Sequence, residues 1–211
     1  MSNTASPQSG VRGRTRRAIL SAAASVFARD RSATLADVAG AADVGRSTLH
    51  RYFPDRDELI RAVIDDSLEM LGQAVTDAAI DRGPAEEGMR RLVAAMLGVG
   101  DRLRFLFGDM RMLQEHHPAP APEDPDCPQD SVPDPVIVLI RRGQSEGVFD
   151  PEVSAGWIQQ VLWGLVYTAA EEVDKGNLPR HVATATVIRT LENGVHTRRS
   201  PSVEPRVGVG S

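Results

Sequence analysis

Apolar residues recur at helical spacing along almost the whole chain. Between Arg12 and Arg29 they fall three or four positions apart, as on one face of an amphipathic helix. The same period returns from Asp55 to about Arg82, where a Gly-Pro pair interrupts it. No segment alternates apolar and polar residues in the manner of a half-buried strand. The pattern therefore predicts an all-α protein with about nine helices.

Glycine, proline and polar stretches separate the predicted elements of the second half. One helical stretch has a kink or short break between Gly98 and Asp101, and the Pro- and Asp-rich segment 116–135 predicts a loop. The predicted helices of this half cover residues 85–112, 136–146, 152–175 and 179–195. Residues 1–11 and 197–211 have a composition typical of a disordered arm and a disordered tail.

Two short predicted helices near the N-terminus are joined by a turn that contains Gly45. Thr34, with Asp37 three residues later, is a capping signal for the first of them. The second covers residues 46–52 and ends before Pro54, because proline disfavours a helical residue ahead of it. Two short helices joined in this way, with a third helix ahead of them, predict a helix-turn-helix.

The predicted helix-turn-helix lies in a basic part of an acidic chain. Residues 1–62 hold ten Arg and six Asp or Glu, whereas the whole chain of 211 residues has a net charge of −5. Such an imbalance is expected when one part of a protein binds a polyanion. An α-helix fits the major groove of DNA and reads base edges there. The side chains that spacing leaves outside on the second short helix are Arg46, Ser47, Thr48, His50 and Arg51.

This segment resembles the DNA-binding region of the tetracycline-repressor (TetR) family of bacterial regulators. The family pattern is approximately T-x-x-x-I-A-x-x-A-G-V-S-x-G-T-L-Y-R-Y-F-x-x-K-x-x-L. The positions of this chain that fit it are Thr34, Val38, Ala39, Ala42, Val44, Thr48, Leu49, Arg51, Tyr52, Phe53 and Leu59. The resemblance implies a helix-turn-helix domain, residues 12–62, and a helical effector-binding and dimerisation domain, residues 63–196.

Five positions depart from the family pattern. Asp43 and Ser47 stand where glycine is usual, and Gly45 replaces the capping serine. His50 stands where a phosphate-binding tyrosine is usual; imidazole can still donate to a phosphate, with a shorter reach. Arg56 replaces a lysine and keeps the positive charge. DNA binding is therefore still expected, but the operator sequence is not predicted.

The predicted DNA contacts differ in the part of DNA that each is expected to touch. We expect Arg46 and Ser47 to contact bases. Phosphate contacts are expected from Thr48, His50 and Arg56, while Arg51 could serve either role or pair with a nearby acid. Thr34 completes the DNA-binding set. The arginines of the first helix, for which phosphate or minor-groove contact and plain solvation stay open, are Arg12, Arg14, Arg16 and Arg17.

The last two long helices carry apolar or small residues around much of their circumference. One side of such a helix can meet its own domain, and the other side needs a partner. The resemblance implies that both helices pair with those of a second copy, and a twofold dimer would read two half-sites about 34–36 Å apart. The candidate interface residues are Trp157, Val161, Gly164, Leu165, Thr168, Ala183, Val187 and Leu191.

A further set of apolar, soft or aromatic side chains could line an effector chamber or simply form core packing. Helix bundles house ligands between helices, in mostly apolar cavities. The resemblance implies a pocket for a small apolar or amphipathic effector here, whose occupation tilts the long fourth helix. The set comprises Met89, Leu92, Met96, Phe105, Leu106, Met110, Trp163 and Tyr167.

The sequence gives no support to several other classes of function. No run approaches the roughly 20 apolar residues of a membrane span, and the N-terminus is not a secretory signal. The single cysteine, Cys127, indicates a reducing cytoplasm. His116, His117 and Cys127 match no zinc pattern, so neither a metal nor a cofactor is predicted. No catalytic constellation is present, which argues against an enzyme.

The leading hypothesis is a homodimeric repressor that a small molecule releases from a palindromic operator. An activator, or a regulator that responds to a protein, is the alternative. A helical scaffold or dimerisation protein is more remote, because such a role needs no hydrogen-bond donors on the outer face of a short helix.

Overall fold

The computed structural model describes residues 7–109, 114–115 and 133–195. Within these residues the chain forms nine helices and no strand, which confirms the predicted all-α class. The helices are α1 (Pro7–Arg29), α2 (Leu35–Ala41), α3 (Arg46–Tyr52), α4 (Arg56–Asp77), α5 (Ala85–Gly98), α6 (Gly100–Phe107), α7 (Pro135–Ser145), α8 (Ala155–Asp174) and α9 (Arg180–Val195). The predicted tail and most of the predicted loop lie outside the described residues.

Several predicted helix boundaries differ from those observed. The stretch predicted to be helical to Met112 ends its helix at Phe107, and the helix predicted from Glu152 begins at Ala155. Helix α1 begins at Pro7, so residues 7–11 are helical, although they belong to the predicted arm. Helix α4 ends at Asp77 rather than near Arg82, because the chain turns through Ala79, whose φ is 46°. Arg91 of α5 donates hydrogen bonds to the carbonyls of Ala78, Ala79 and Arg82, and it thereby holds this turn.

The helices pack around two hydrophobic cores. The first, which we call the head core, is built mainly from α1, α2, α3 and the first half of α4. The second, the body core, is built from α5, α7, α8 and α9. The proposed domain boundary at residues 62–63 falls inside α4, which continues without a break from one core to the other.

Helix α6 belongs to both parts of the molecule. Its side chains Phe105 and Leu106 are fully buried in the head core, where Phe105 lies 6.3 Å from the ring of Phe27. Leu103, on another side of the same helix, is buried in the body core. This short helix therefore joins the two cores by apolar packing in both directions.

Buried arginines of α6 add polar contacts at the same junction. Arg102 is 7% exposed; it pairs with Asp66 of α4 at 2.8 Å and donates a 3.2 Å hydrogen bond to the carbonyl of Leu20 in α1. Burial lowers the pKa of Arg102, and Asp66 opposes that shift. Arg104, 5% exposed, pairs with Asp174 at the end of α8 at 3.0 Å. Arg102 thus joins α6 to the head, and Arg104 joins it to the body.

The turn between α2 and α3 contains an unusual backbone conformation. Asp43 has a φ of 52°, in the left-handed region where glycine is favoured. The amide of Val44 donates to the carbonyl of Ala39, and the amide of Asp43 donates to that of Gly40. These two bonds are the Schellman arrangement that ends a helix with a left-handed residue. The position that departs from the family glycine is therefore one at which glycine is conformationally suited.

We expect Asp43→Gly to raise the free energy of unfolding by about 0.5–1 kcal/mol, because glycine has no Cβ to strain the left-handed conformation. Denaturant unfolding of both proteins measures the difference. Asp43→Ala is the control, and it should be destabilising, since alanine lacks the short polar side chain that tolerates this region. A glycine variant less stable than the natural protein would contradict the account.

The Asp174 junction should make stability depend on pH. The hydrogen bond from Arg29, at 2.9 Å, and that from Arg104 hold the pKa of Asp174 below its usual range. The stabilisation that the ionised Asp174 carboxylate contributes is thus complete above the pKa of the unfolded chain, about 3.9. It is lost as the pH falls through the lowered pKa of the folded protein.

We therefore expect Asp174→Asn to lower the free energy of unfolding by about 1–2 kcal/mol near neutral pH, and much less at about pH 3. Urea titrations at the two pH values measure both differences. The exposed Glu152→Gln serves as a control and should change stability by less than about 0.5 kcal/mol. An equal loss for Asp174→Asn at both pH values would rule out the charge as its cause.

Candidate DNA-binding surface and interhelical cleft

Helix α3 exposes one face and buries the other. Leu49 is fully buried in the head core, and Phe53, which follows the helix, is buried beside it. The opposite face carries the predicted donors: Arg46, Ser47, His50 and Arg51 are exposed and Thr48 is half-buried. These side chains are thus presented together from a helix that the head core holds in place.

The N-terminus of α3 has free backbone donors at its outer end. Gly45 is the N-cap residue and supplies no side-chain hydrogen bond. Helix N-termini are favourable sites for phosphate oxygens, because unpaired amides and the helix dipole point there. No side chain therefore caps this end of α3, where the family pattern has a serine.

Thr34 has a structural role that the sequence also predicts. Its hydroxyl accepts a hydrogen bond from the amide of Asp37, and the Asp37 carboxylate accepts one from the amide of Thr34. The hydrogen bond from the Thr34 hydroxyl lowers the pKa of Asp37. This capping box fixes the start of α2, and Thr34 remains exposed at the same time.

Arg56 does not extend outward with the other predicted phosphate contacts. Its guanidinium group donates hydrogen bonds to the carbonyls of Arg31 and Ala33, and it lies 5.2 Å from the centre of the Phe27 ring. These contacts join the start of α4 to the end of α1. The phosphate contact predicted from the residue type would have to use the donors of the guanidinium that these contacts leave over.

The remaining basic candidates lie at the surface. Arg12, Arg14, Arg16 and Arg17 are exposed on α1. The guanidinium of Arg16 lies 5.6 Å from the ring of Phe53, and that of Arg51 lies 5.7 Å from the ring of Tyr52. The Nδ1 atom of His50 lies 3.3 Å from the carbonyl of Pro54, which orients the imidazole.

The side chains predicted to line an effector chamber are distributed over both cores. Met89, Leu92 and Met96 are buried in the body core, whereas Phe105 and Leu106 are buried in the head core. Trp163 and Tyr167 are half-buried against the body core, and Met110 lies outside the described residues. The cavity that touches Met89 has a volume of only about 10 Å³. The described members of the set therefore pack into two cores rather than around one chamber.

A much larger space opens elsewhere, and we call it the interhelical cleft. It has a volume of about 570 Å³ and lies between α1, α4 and the junction of α5 with α6. Its walls include Arg17 and Ser21 of α1, Glu69 and Met70 of α4, and Val99 at the helix junction. No local pattern in the sequence indicates this cleft, because its walls come from segments far apart in the chain and carry no common motif.

The predicted dimer residues fall into two groups, one at the surface of α8 and one in the body core. Trp157 is 63% exposed on α8, Gly164 and Thr168 are exposed, and Val161 and Leu165 are half-buried beside them. The three residues of α9 point the other way: Ala183, Val187 and Leu191 are buried in the body core. Their apolar period reflects the packing of α9 against α5 and α8, so within one chain they are not open to a partner.

Two further structural observations bear on other classes of function. In the described part of the chain, no helix has both the length and the apolar character needed to cross a membrane. The same residues contain no cluster of three or more His, Cys, Asp or Glu side chains suited to a metal ion. His116, His117 and Cys127 lie outside the described residues.

Comparison with known proteins agrees with this geometry. The family described as "Bacterial regulatory proteins, tetR family" matches residues 19–63. The HTH-type transcriptional repressor LfrR of Mycolicibacterium smegmatis is 34% identical over 192 residues, which cover 90% of this chain and 95% of LfrR. The HTH-type transcriptional regulator NfxB of Pseudomonas aeruginosa is 27% identical over 160 residues, which cover 76% of this chain and 81% of NfxB.

Solved structures extend the likeness to the whole fold. The crystal structure of the TetR-like regulator LfrR from Mycobacterium smegmatis has a TM-score of 0.66 at 30% identity, and the match covers 89% of this chain and 99% of that chain. LfrR in complex with proflavine has a TM-score of 0.64 at 31% identity, with the same coverage. The chain therefore belongs to the TetR family of bacterial regulatory proteins, and it is a DNA-binding transcriptional regulator rather than an enzyme.

Proposed function

We propose that this chain is a homodimeric repressor that leaves a palindromic operator when a small molecule binds. The observation that carries the proposal is the exposed face of α3, where hydrogen-bond donors cluster on a helix anchored by Leu49. The similarity to LfrR, which is named a repressor and has been crystallised with proflavine, supports both the direction of regulation and a ligand.

Reading of DNA by α3 follows from its size and side chains. A helix of this width enters the major groove, where Arg contacts guanine edges and Ser contacts either bases or phosphates. We assign base contact to Arg46 and Ser47, and phosphate contact to Thr48 and His50. Binding to bacterial operator DNA would place the protein in the cytoplasm, as its single cysteine also indicates.

The geometry of DNA and the exposed surface of α8 both support a second copy. One α3 reaches one major groove, and a twofold pair would reach two grooves about 34–36 Å apart. The exposed stripe of α8 around Trp157, Gly164 and Thr168 is the surface that we propose to meet its twofold mate. The buried face of α9 then supports this stripe from within the chain.

Replacement of Arg46 should separate base reading from phosphate binding. We expect Arg46→Ala to weaken operator binding by about 1–3 kcal/mol and to relax one base position, because one side chain that reads base edges is lost. His50→Ala should weaken binding to all sequences alike and reduce the salt slope by about one. Gel shifts with the DNA upstream of the protein's own gene, over a salt series, measure both.

Arg189→Ala is the matched control for these variants, since Arg189 is exposed on α9 in the body. It should leave operator affinity and salt slope unchanged. Unchanged operator binding by Arg46→Ala would show that α3 is oriented differently on DNA. If expression of a reporter gene under the operator falls when the gene for this protein is deleted, the protein is an activator rather than a repressor.

Gly164 offers a test of the dimer that spares the fold of one chain. A Cβ added there meets nothing within 4 Å, so Gly164→Glu should fit the isolated chain, yet it should place a charge in the proposed interface. We expect the dimer dissociation constant to rise at least about tenfold. Gly72→Glu on α4, where a Cβ is equally unobstructed, is the control. Sedimentation equilibrium that finds equal dimer stability would exclude this face of α8.

A further inference from the structure

We infer that the interhelical cleft binds an amphipathic zwitterion, a molecule with a cationic group and an anionic group on an apolar body. The inference rests on the proposed function in one respect only, namely that the bound molecule acts as the effector. It differs from the chamber predicted in the body, because the cleft lies where α1 of the head faces α4 and α6.

The dimensions of the cleft suit a small organic molecule. Ligand sites in proteins usually measure about 300–1,000 Å³ and combine apolar walls with a few polar groups. The interhelical cleft, at about 570 Å³, falls within this range. Met70, which is 41% exposed, and the half-buried Val99 supply apolar surface on its walls.

Most charges in the walls are already engaged within the protein. Arg102 pairs with Asp66, and Asp101 accepts hydrogen bonds from Ser25 and Arg104. Arg180 donates to a backbone carbonyl, that of Leu97, at 3.5 Å. Asp66, Asp101 and Arg102 thus have charged or hydrogen-bonding side-chain partners within the protein, and Arg180 has a backbone acceptor.

Two opposite charges in the walls have no such engagement. Arg17 on α1 and Glu69 on α4 both line the cleft and are exposed, and neither has a hydrogen-bond or ion-pair partner among the described residues. A ligand with a cationic nitrogen toward Glu69 and an acidic group toward Arg17 would pair both charges. Its apolar middle would cover Met70 and Val99.

The position of the cleft connects occupancy with DNA binding. The hydrogen bonds from Arg102 to Leu20 and from Ser25 to Asp101 join α1 to α6 along the cleft wall. A ligand between these helices would alter the orientation of the head relative to the body. If it binds the altered arrangement better, it must lower operator affinity by the same coupling free energy.

Two related dyes test the charge requirement. Rhodamine B carries a free carboxylate and a cationic ring system, and rhodamine 6G is a related cationic dye in which that carboxylate is an ester. We expect fluorescence anisotropy with the full-length protein to show rhodamine B bound more tightly by about twofold to fivefold. Equal affinities, or no binding of either dye up to about 1 mM, would overturn the inference.

Charge-neutral variants should act differently on the two dyes. Arg17→Gln should abolish the preference for rhodamine B and leave rhodamine 6G affinity unchanged, whereas Glu69→Gln should weaken both dyes by about twofold to fivefold. The control Asp65→Asn, an exposed acid of α4 outside the cleft walls, should change neither. Loss of rhodamine 6G binding in Arg17→Gln would contradict the assignment.

A bulky substitution locates the site without a change of charge. Ser21→Trp should fill the cleft and lower rhodamine B affinity at least about tenfold, whereas Ala18→Trp, at an exposed position of α1 outside the cleft, should not. Thermal unfolding of each variant shows whether the fold is retained. Full rhodamine B affinity in a folded Ser21→Trp protein would place the dye elsewhere and overturn the inference.

Operator release separates this inference from the proposed function. We expect rhodamine B to release the natural protein from operator DNA and to fail with Ser21→Trp. Release that persists in Ser21→Trp would overturn the site while ligand-controlled repression stands. If rhodamine B binding depends on Arg17 and Glu69 but does not release the protein from operator DNA, the ligand site stands and its role as the effector site is excluded.

Discussion

The structure depends on α6, eight residues that hold the DNA-binding head against the body through two kinds of contact. Phe105 completes the head core by apolar packing, and Arg102 and Arg104 form buried ion pairs toward α4 and α8. A buried guanidinium is tolerated only where hydrogen bonds and an opposite charge compensate its lost hydration. The head can therefore change its orientation relative to the body only if these polar contacts rearrange together with the apolar packing.

A similar constraint of packing fixes the positions of the side chains on the DNA-binding surface. The head core is small, yet α3 is held by Leu49 on one side and by Phe53 at its end, so its outer donors occupy fixed positions. Arg56 shows the other side of the same requirement, since its guanidinium ties α4 to α1 instead of reaching outward. The carbonyls of the neighbouring segment thus take up part of the donor capacity of this arginine.

The same distinction separates surfaces from cores in the body. Helices α8 and α9 are both apolar around much of their circumference. Of the described large apolar side chains on these two helices, Trp157 of α8 is the most exposed. The apolar residues of α9 are used within the chain, against α5 and α8. Ligand-sized space likewise opens at the junction of head and body, while Met89 and Leu92 are fully packed.

The sequence by itself determined the helical class, the helix-turn-helix and the outer face of α3, because these depend on local period, capping and turn residues. Thr34 with Asp37 and the break at Val99 illustrate how far local signals reach. Helix α4, in contrast, ends at Asp77, ahead of the predicted Gly-Pro break, in a turn that Arg91 of another helix holds. Only the tertiary structure decided that Phe105 packs with the head, that Leu191 faces inward and that Arg17 and Glu69 share a cleft. Period tells which side of a helix is apolar, but the neighbour that covers that side is chosen by contacts between residues distant in the chain.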